Sequence, residues 1–145
     1  MTHIVIAKET KPLEARIAAT ADTVKKYIAL GATVSVERGA GLGSAISDAA
    51  FETAGAVLID RITEADIILK VAPPSEAEIA SYPSGVMLLG ALEPYTNKDK
   101  LAAYNNKNIA AFALELLPRI SRAQSMDILS SQSNLAVYRA VIEAV

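Results

Sequence analysis

Ile4-Val5-Ile6-Ala7, close to the start of the chain, is apolar at every position. A short apolar run without alternation suits a strand covered on both faces, not one with a wet side. Runs of this kind recur at Thr33–Val36, Val57–Ile59, Ile67–Val71, Val86–Leu89 and Ile109–Leu114. Helical patterns with recognisable ends separate most of them. Thr20 can cap a helix through Leu30, with Val24, Tyr27 and Ile28 on one face and Gly31 as its stop. Ser47 can cap a short helix ending at Gly55, Pro73-Pro74-Ser75 opens another that ends before Pro83, and a fourth spans about Asn97 to Asn105. Six such strands interleaved with helices predict an α/β fold. The natural form is a flavodoxin-like or Rossmann-like doubly wound, mainly parallel sheet with helices on both faces.

Composition narrows the function. At 145 residues the chain has the size of one ordinary domain. Apolar residues make up 52% and aromatics only 5%, so the core must be built from Ala, Val, Ile and Leu. Fourteen basic against sixteen acidic residues leave a net charge of −2, which argues against nucleic acid as a partner. There is no cysteine, and the single histidine, His3, has no second His or Cys to share a metal, so no metal site is expected. The N-terminus lacks the pattern of a signal peptide, and no apolar stretch approaches the roughly 18 residues of a membrane helix. The expectation is a cytoplasmic segment without direct membrane insertion; any link to a membrane would run through other segments or subunits.

Three features are candidates for chemistry. Gly39-Ala40-Gly41-Leu42-Gly43-Ser44 follows a strand and precedes a helix, with Asp60 about 20 residues on. It imitates a dinucleotide fingerprint, but Ser44 stands where the third packing glycine belongs, and the strand is the second in the chain. A phosphate site and a plain tight turn are both open readings. Arg16, in the loop after the first strand, and Lys70, at the end of Ile67–Leu69, fall at the expected ligand-bearing edge. They either converge on an anion or are solvated loop charges. The third feature is the polar run Pro118–Asn134, which holds two arginines, two glutamines, one Asp, one Asn and five serines. A core strand, Ile109–Leu114, delivers it to the same edge, where long polar loops tend to carry function. Its groups suit a nicotinamide. Asp127 can accept from a carboxamide NH2 and Arg119 can donate to its C=O, while Arg122, Gln124 and the serine hydroxyls suit ribose or phosphate. A capped helix start with a solvated loop is the alternative. From about Ser130 the pattern is helical, with Leu135, Tyr138, Val141 or Ile142, and Val145 on one stripe and no stop signal. It reads as the start of a connection to a further segment, or else as a terminal helix that frays.

The run Glu115–Ala136 (ELLPRISRAQSMDILSSQSNLA) closely resembles the signature of the NAD(H)-binding alpha subunit of proton-translocating nicotinamide nucleotide transhydrogenase, a family similar in its N-terminal half to alanine dehydrogenase. Shorter stretches extend the resemblance over essentially the whole chain: Ile6–Glu9 with Arg16–Ala18, Gly39–Gly41, Ala65–Ile67 with Leu69–Val71, and Leu89–Leu92. The resemblance implies a two-domain subunit. Residues 1–129 would form the N-terminal domain, and 130–145 the start of a linking helix to a Rossmann domain that carries the true fingerprint. It implies that the family's Arg, Gln and Asp loop falls on Arg119, Gln124 and Asp127, and that Ile120, Ser121, Arg122 and Ser130 match neighbouring cofactor contacts. It further implies a homodimeric subunit that passes hydride between NAD(H) and NADP(H). The NADP(H) would sit on a partner subunit, and a membrane subunit would couple the reaction to proton movement, placing the assembly at the cytoplasmic side of the inner membrane.

Alanine dehydrogenase is the nearest competing reading. Arg16 and Lys70 resemble its substrate-carboxylate residues, but its substrate histidine would fall within Val86–Leu92, where Leu88 or Leu89 stands. A stand-alone flavodoxin-like binding module is the third. On the transhydrogenase reading, this polypeptide alone is expected to bind NADH weakly or not at all and to be inactive. Its Arg119–Asp127 segment, with few apolar anchors, is expected to be mobile.

Overall fold

The computed structural model describes residues 1–144. Six strands form a single all-parallel sheet: β1 His3–Ile6, β2 Thr33–Glu37, β3 Val57–Ile59, β4 Ile67–Leu69, β5 Met87–Gly90 and β6 Ala110–Ala113. Their order across the sheet is β3-β2-β1-β4-β5-β6. The doubly wound, parallel reading therefore holds. Of its two common orders the sheet adopts the Rossmann one, 3-2-1-4-5-6, and not the flavodoxin order 2-1-3-4-5. The order reverses between β1 and β4, which pair in parallel with Ile4 beside Ile67 and Ile6 beside Leu69. In such sheets the crevice beyond the carboxyl ends of these two strands is the default ligand position.

The helices divide between the faces. Helices α1 (Ala21–Ala29) and α2 (Asp48–Thr53) cover one side, where Val24 and Phe51 pack with Ile6, Val34 and Val36. Helices α3 (Glu76–Ser81) and α4 (Lys98–Asn106) cover the other, where Ile79 and Tyr104 pack with Val5, Ile68 and Leu88. Alternate residues of β1 thus feed two separate cores, which is why the strand has no polar position after His3. Three helix starts follow from the sequence: Thr20, Ser47 and Ser75 each accept a hydrogen bond from the backbone N–H three residues on.

Two expectations change. Ile109–Leu114 is not a core strand. β6 is the outer strand, with Ala110, Ala111 and Phe112 exposed, because nothing among the described residues covers its outer edge and one of its faces. Pro118–Asn134 is not a loop. Ser121–Met126 winds into a 3₁₀ turn, and helix α5 begins at Ile128 and runs to Glu143, starting two residues before the sequence pattern suggests. The reason is Asp127, whose carboxylate caps the helix. Leu135, Val137, Tyr138, Val141 and Ile142 on α5 are all more than 45% exposed, so the helix stands clear of both cores. Val145, counted in the apolar stripe, lies outside the described residues.

Candidate functional site

The glycine loop is a packing device. A Cβ on Gly41 would lie 2.6 Å from the Ile46 carbonyl oxygen and 2.7 Å from the Phe51 ring, and one on Gly43 would lie 2.8 Å from the Ala15 carbonyl oxygen. Protein atoms thus fill the space that a phosphate would need. The acidic residue at the end of β2 is engaged as well: Glu37 accepts the backbone N–H of Lys8 at 2.8 Å. Asp60 pairs with Arg38 at the surface, at 3.0 Å. The strand order of a dinucleotide fold is present here without its cradle.

Lys70 is a brace and not a free cation. Its side chain is 1% exposed, and its Nζ donates to Glu78 Oε1 at 2.6 Å and to the Lys8 carbonyl at 3.2 Å, with Glu9 Oε2 at 3.6 Å. An ammonium has three donors, and three protein oxygens surround this one. Glu9 also accepts from the backbone N–H groups of Val71 and Ala72, locking the first loop onto the end of β4. Burial pushes the Glu78 carboxyl upward, but hydrogen bonds from Lys70, Ser75 and Thr10 outweigh it and hold the group below its ordinary value. Arg16 is gripped by Glu14: Nε donates to Oε1 at 2.8 Å and Nη2 to Oε2 at 2.6 Å. This fork holds Glu14 below the ordinary carboxylate range. Both Arg16 and Lys70 do line one cavity of about 350 Å³ at the ends of β4 and β5, together with Leu114, Ile128 and Gln132. Neither presents an unpaired charge to it.

The polar run forms a separate cleft of about 310 Å³, lined by Arg119, Ile120, Ser121, Gln124, Asp127 and Ser130 around the buried Ala123. Six of the seven residues singled out from sequence meet there. The seventh, Arg122, is exposed on the same 3₁₀ turn but is not part of the lining. Asp127 organises the cleft. Its Oδ1 accepts from the N–H groups of Leu129 and Ser130 at 3.0 and 3.1 Å, and its Oδ2 from the Ser130 hydroxyl at 2.6 Å. These bonds, the hydroxyl first and with the charge of Arg119 as a lesser influence, keep its carboxyl below the usual value. The segment begins where Glu115 accepts the backbone N–H groups of Leu92 and Glu93 and fixes the end of β6 to the loop after β5.

Residues 5–136 match the family described as alanine dehydrogenase/PNT, N-terminal domain. The chain belongs to that family. Within the alanine dehydrogenase/PNT family it is 46% identical over 149 residues to an NAD(P) transhydrogenase subunit alpha polypeptide of Rhodospirillum rubrum, an alignment covering 97% of this chain and 39% of that protein. The crystal structure of transhydrogenase from Sinorhizobium meliloti matches with a TM-score of 0.93 and 50% identity, over 98% of this chain and 43% of that one. Alanine dehydrogenase of Bacillus subtilis is more distant, at 32% over 134 residues, covering 90% of this chain and 35% of that protein. The chain thus spans about two fifths of the length of these transhydrogenase relatives.

Sequence reading missed the carboxylates that set this geometry: Glu9, Glu14, Glu78 and Glu115. One of them had a signal. Ser75-Glu76-Ala77-Glu78 is a capping-box pattern, and the box forms. The other three make contacts that no local pattern announces.

Proposed function

We propose that this chain is the N-terminal domain of the NAD(H)-binding alpha subunit of a proton-translocating NAD(P) transhydrogenase, and that the cleft at the start of α5 binds the nicotinamide of NAD(H). One observation carries the reading: Arg119, Gln124 and Asp127, a cation, an amide and a carboxylate, line a single cleft at the N-terminus of α5. The donor set fits the group. Asp127 Oδ2 takes one hydrogen bond from Ser130 and, as a carboxylate oxygen, has room for a carboxamide N–H. Arg119 supplies the donor for the carboxamide oxygen. Gln124 and Ser121 offer exposed polar groups toward a ribose or toward a facing nucleotide. When bound, NADH supplies the hydride. The domain's task is to hold the ring in one orientation at near-contact distance from its acceptor, for which no catalytic base is needed.

On this reading the acceptor is NADP(H) on a partner subunit, the complete alpha subunit is a homodimer, and proton translocation belongs to membrane subunits. No helix among the described residues is long and apolar enough to cross a membrane. This fits a domain held peripherally at the cytoplasmic face of the inner membrane through those partners. Helix α5 then belongs to the connection with a Rossmann domain that binds the pyrophosphate, consistent with the filled glycine loop here. An alanine dehydrogenase reading has less support, because Lys70 is buried and donates to Glu78 and the Lys8 carbonyl with Glu9 at 3.6 Å, and Leu88 and Leu89 stand in β5.

The test uses the complete subunit. Arg119→Ala and Asp127→Ala should each weaken NADH binding by about tenfold, the scale of one charge-assisted hydrogen bond, and slow hydride transfer. Asp127→Asn, which keeps a capping oxygen, separates loss of the helix cap from loss of the ligand contact. Unchanged NADH affinity and transfer rate in both alanine variants would falsify the reading.

A further inference from the structure

The polar strap is nearly untied from the domain that carries it. From Leu117 to Glu143 the hydrogen bonds are local, joining each residue to neighbours within the strap or to Leu114 just before it. Among the described residues a single hydrogen bond links this stretch to the body of the domain: Arg16 Nη1 donates to Gln132 Oε1 at 3.2 Å, across 116 residues of sequence. Apolar anchoring is slight. Ala123 is buried, and Ile128 and Leu114 line the cavity beside Arg16.

Arg16 is built to act as such a tether. Glu14, whose side chain is 11% exposed, holds the guanidinium by a two-pronged contact through Nε and Nη2. The planar fork then directs Nη1 outward with little freedom left to lose. Gln132 lies on α5 little more than one turn beyond Asp127, which caps the helix and lines the cleft. Fixing Gln132 against the first loop therefore fixes where the helix N-terminus and its cleft stand relative to the sheet.

We propose that Arg16, held by Glu14, is a positioning residue for the nicotinamide cleft and acts through Gln132. It touches no ligand in this role; its charge serves to hold the strap. The inference rests on the nicotinamide reading of that cleft.

The test compares Arg16→Ala, Gln132→Ala and the double variant in the complete transhydrogenase, with Arg119→Ala as reference. Each single variant should weaken NADH binding about fivefold, the effect of losing one partly exposed hydrogen bond. The double variant should be no weaker than either single one, since both remove one contact. Gln132→Glu keeps the acceptor and should bind as the wild type does. KM on the NADP side should not move, whereas general destabilisation would alter both sides. Gln132 is exposed on α5, so its variants test the idea even if Arg16→Ala impairs folding. Wild-type NADH affinity in Gln132→Ala, or losses that sum in the double variant, would overturn the tether while Arg119→Ala still weakened binding. If Arg119→Ala also had no effect, the nicotinamide reading itself would fall.

Discussion

Glu37 shows how one residue here departs from its ordinary chemistry. Burial raises its carboxyl pKa; the Lys8 N–H, and more weakly the charges of Lys70 and Lys8, pull it back, while Glu78 adds to the rise. The group binds its proton more tightly folded than unfolded. Its contribution is therefore fully present below the unfolded carboxylate value and is lost as pH rises through the folded one. Glu37→Gln keeps a neutral side chain at every pH. Wild type and variant should be equally stable at about pH 4, and the variant should be the more stable at about pH 7, as read from urea midpoints. An equal gap at both values would refute the assignment. Little of this was visible in the sequence. The charges of Lys70 and Arg16 could be placed at the right edge of the sheet. That each had its own carboxylate depended on contacts across 61 and 8 residues for Lys70, with Glu9 and Glu78, and on a turn that folds Glu14 back on Arg16. Pairing of that kind lies in the third dimension and leaves no spacing rule.

At the scale of elements, α3 joins local and distant interactions in one side chain. Glu78 closes the capping box with Ser75 and also holds the buried Lys70. Ser75→Ala should cost about 1 kcal/mol, the usual value of a cap. Glu78→Ala should cost about 3 kcal/mol or more, because it leaves an ammonium buried with Glu9 as its remaining charged partner. Denaturant unfolding of the two variants checks the order; equal losses would show that the brace adds nothing beyond the cap. The helix starts at Thr20, Ser47 and Ser75 were legible because capping is a local matter of hydroxyl and N–H three residues apart. The start of α5 falls two residues earlier than its periodicity indicates because Asp127, which has the chemistry of a ligand group, is also a cap.

Across the whole molecule, stability resides in two cores, one on each face of the sheet, while α5 and the outer strand β6 lie beside them largely uncovered. The glycine loop offers the cleft proposed for the nicotinamide no phosphate cradle, since Gly41 and Gly43 are packed against Ile46, Phe51 and Ala15. On the proposed function, most of a dinucleotide's contacts come from outside these residues; the transhydrogenase relatives are more than twice as long as this chain. Titration calorimetry of the 145-residue polypeptide should accordingly show NADH binding far weaker than in the complete subunit. Affinity of about micromolar or better for the polypeptide alone would contradict this, since one half-site with a few exposed hydrogen bonds falls short of the roughly 8 kcal/mol it requires.

The order of residues alone determined that β-strands apolar on both faces alternate with capped helices, and hence a parallel doubly wound sheet. It also marked Pro118 to Asn134 as the chemically unusual stretch, because composition and periodicity are properties of the chain itself. Only the folded molecule decided that the strands run 3-2-1-4-5-6, that the glycine loop is filled, that Lys70 is a brace, and that Arg16 reaches Gln132. Each of these depends on which atoms occupy the same space, and that is settled by packing between separate segments of the chain.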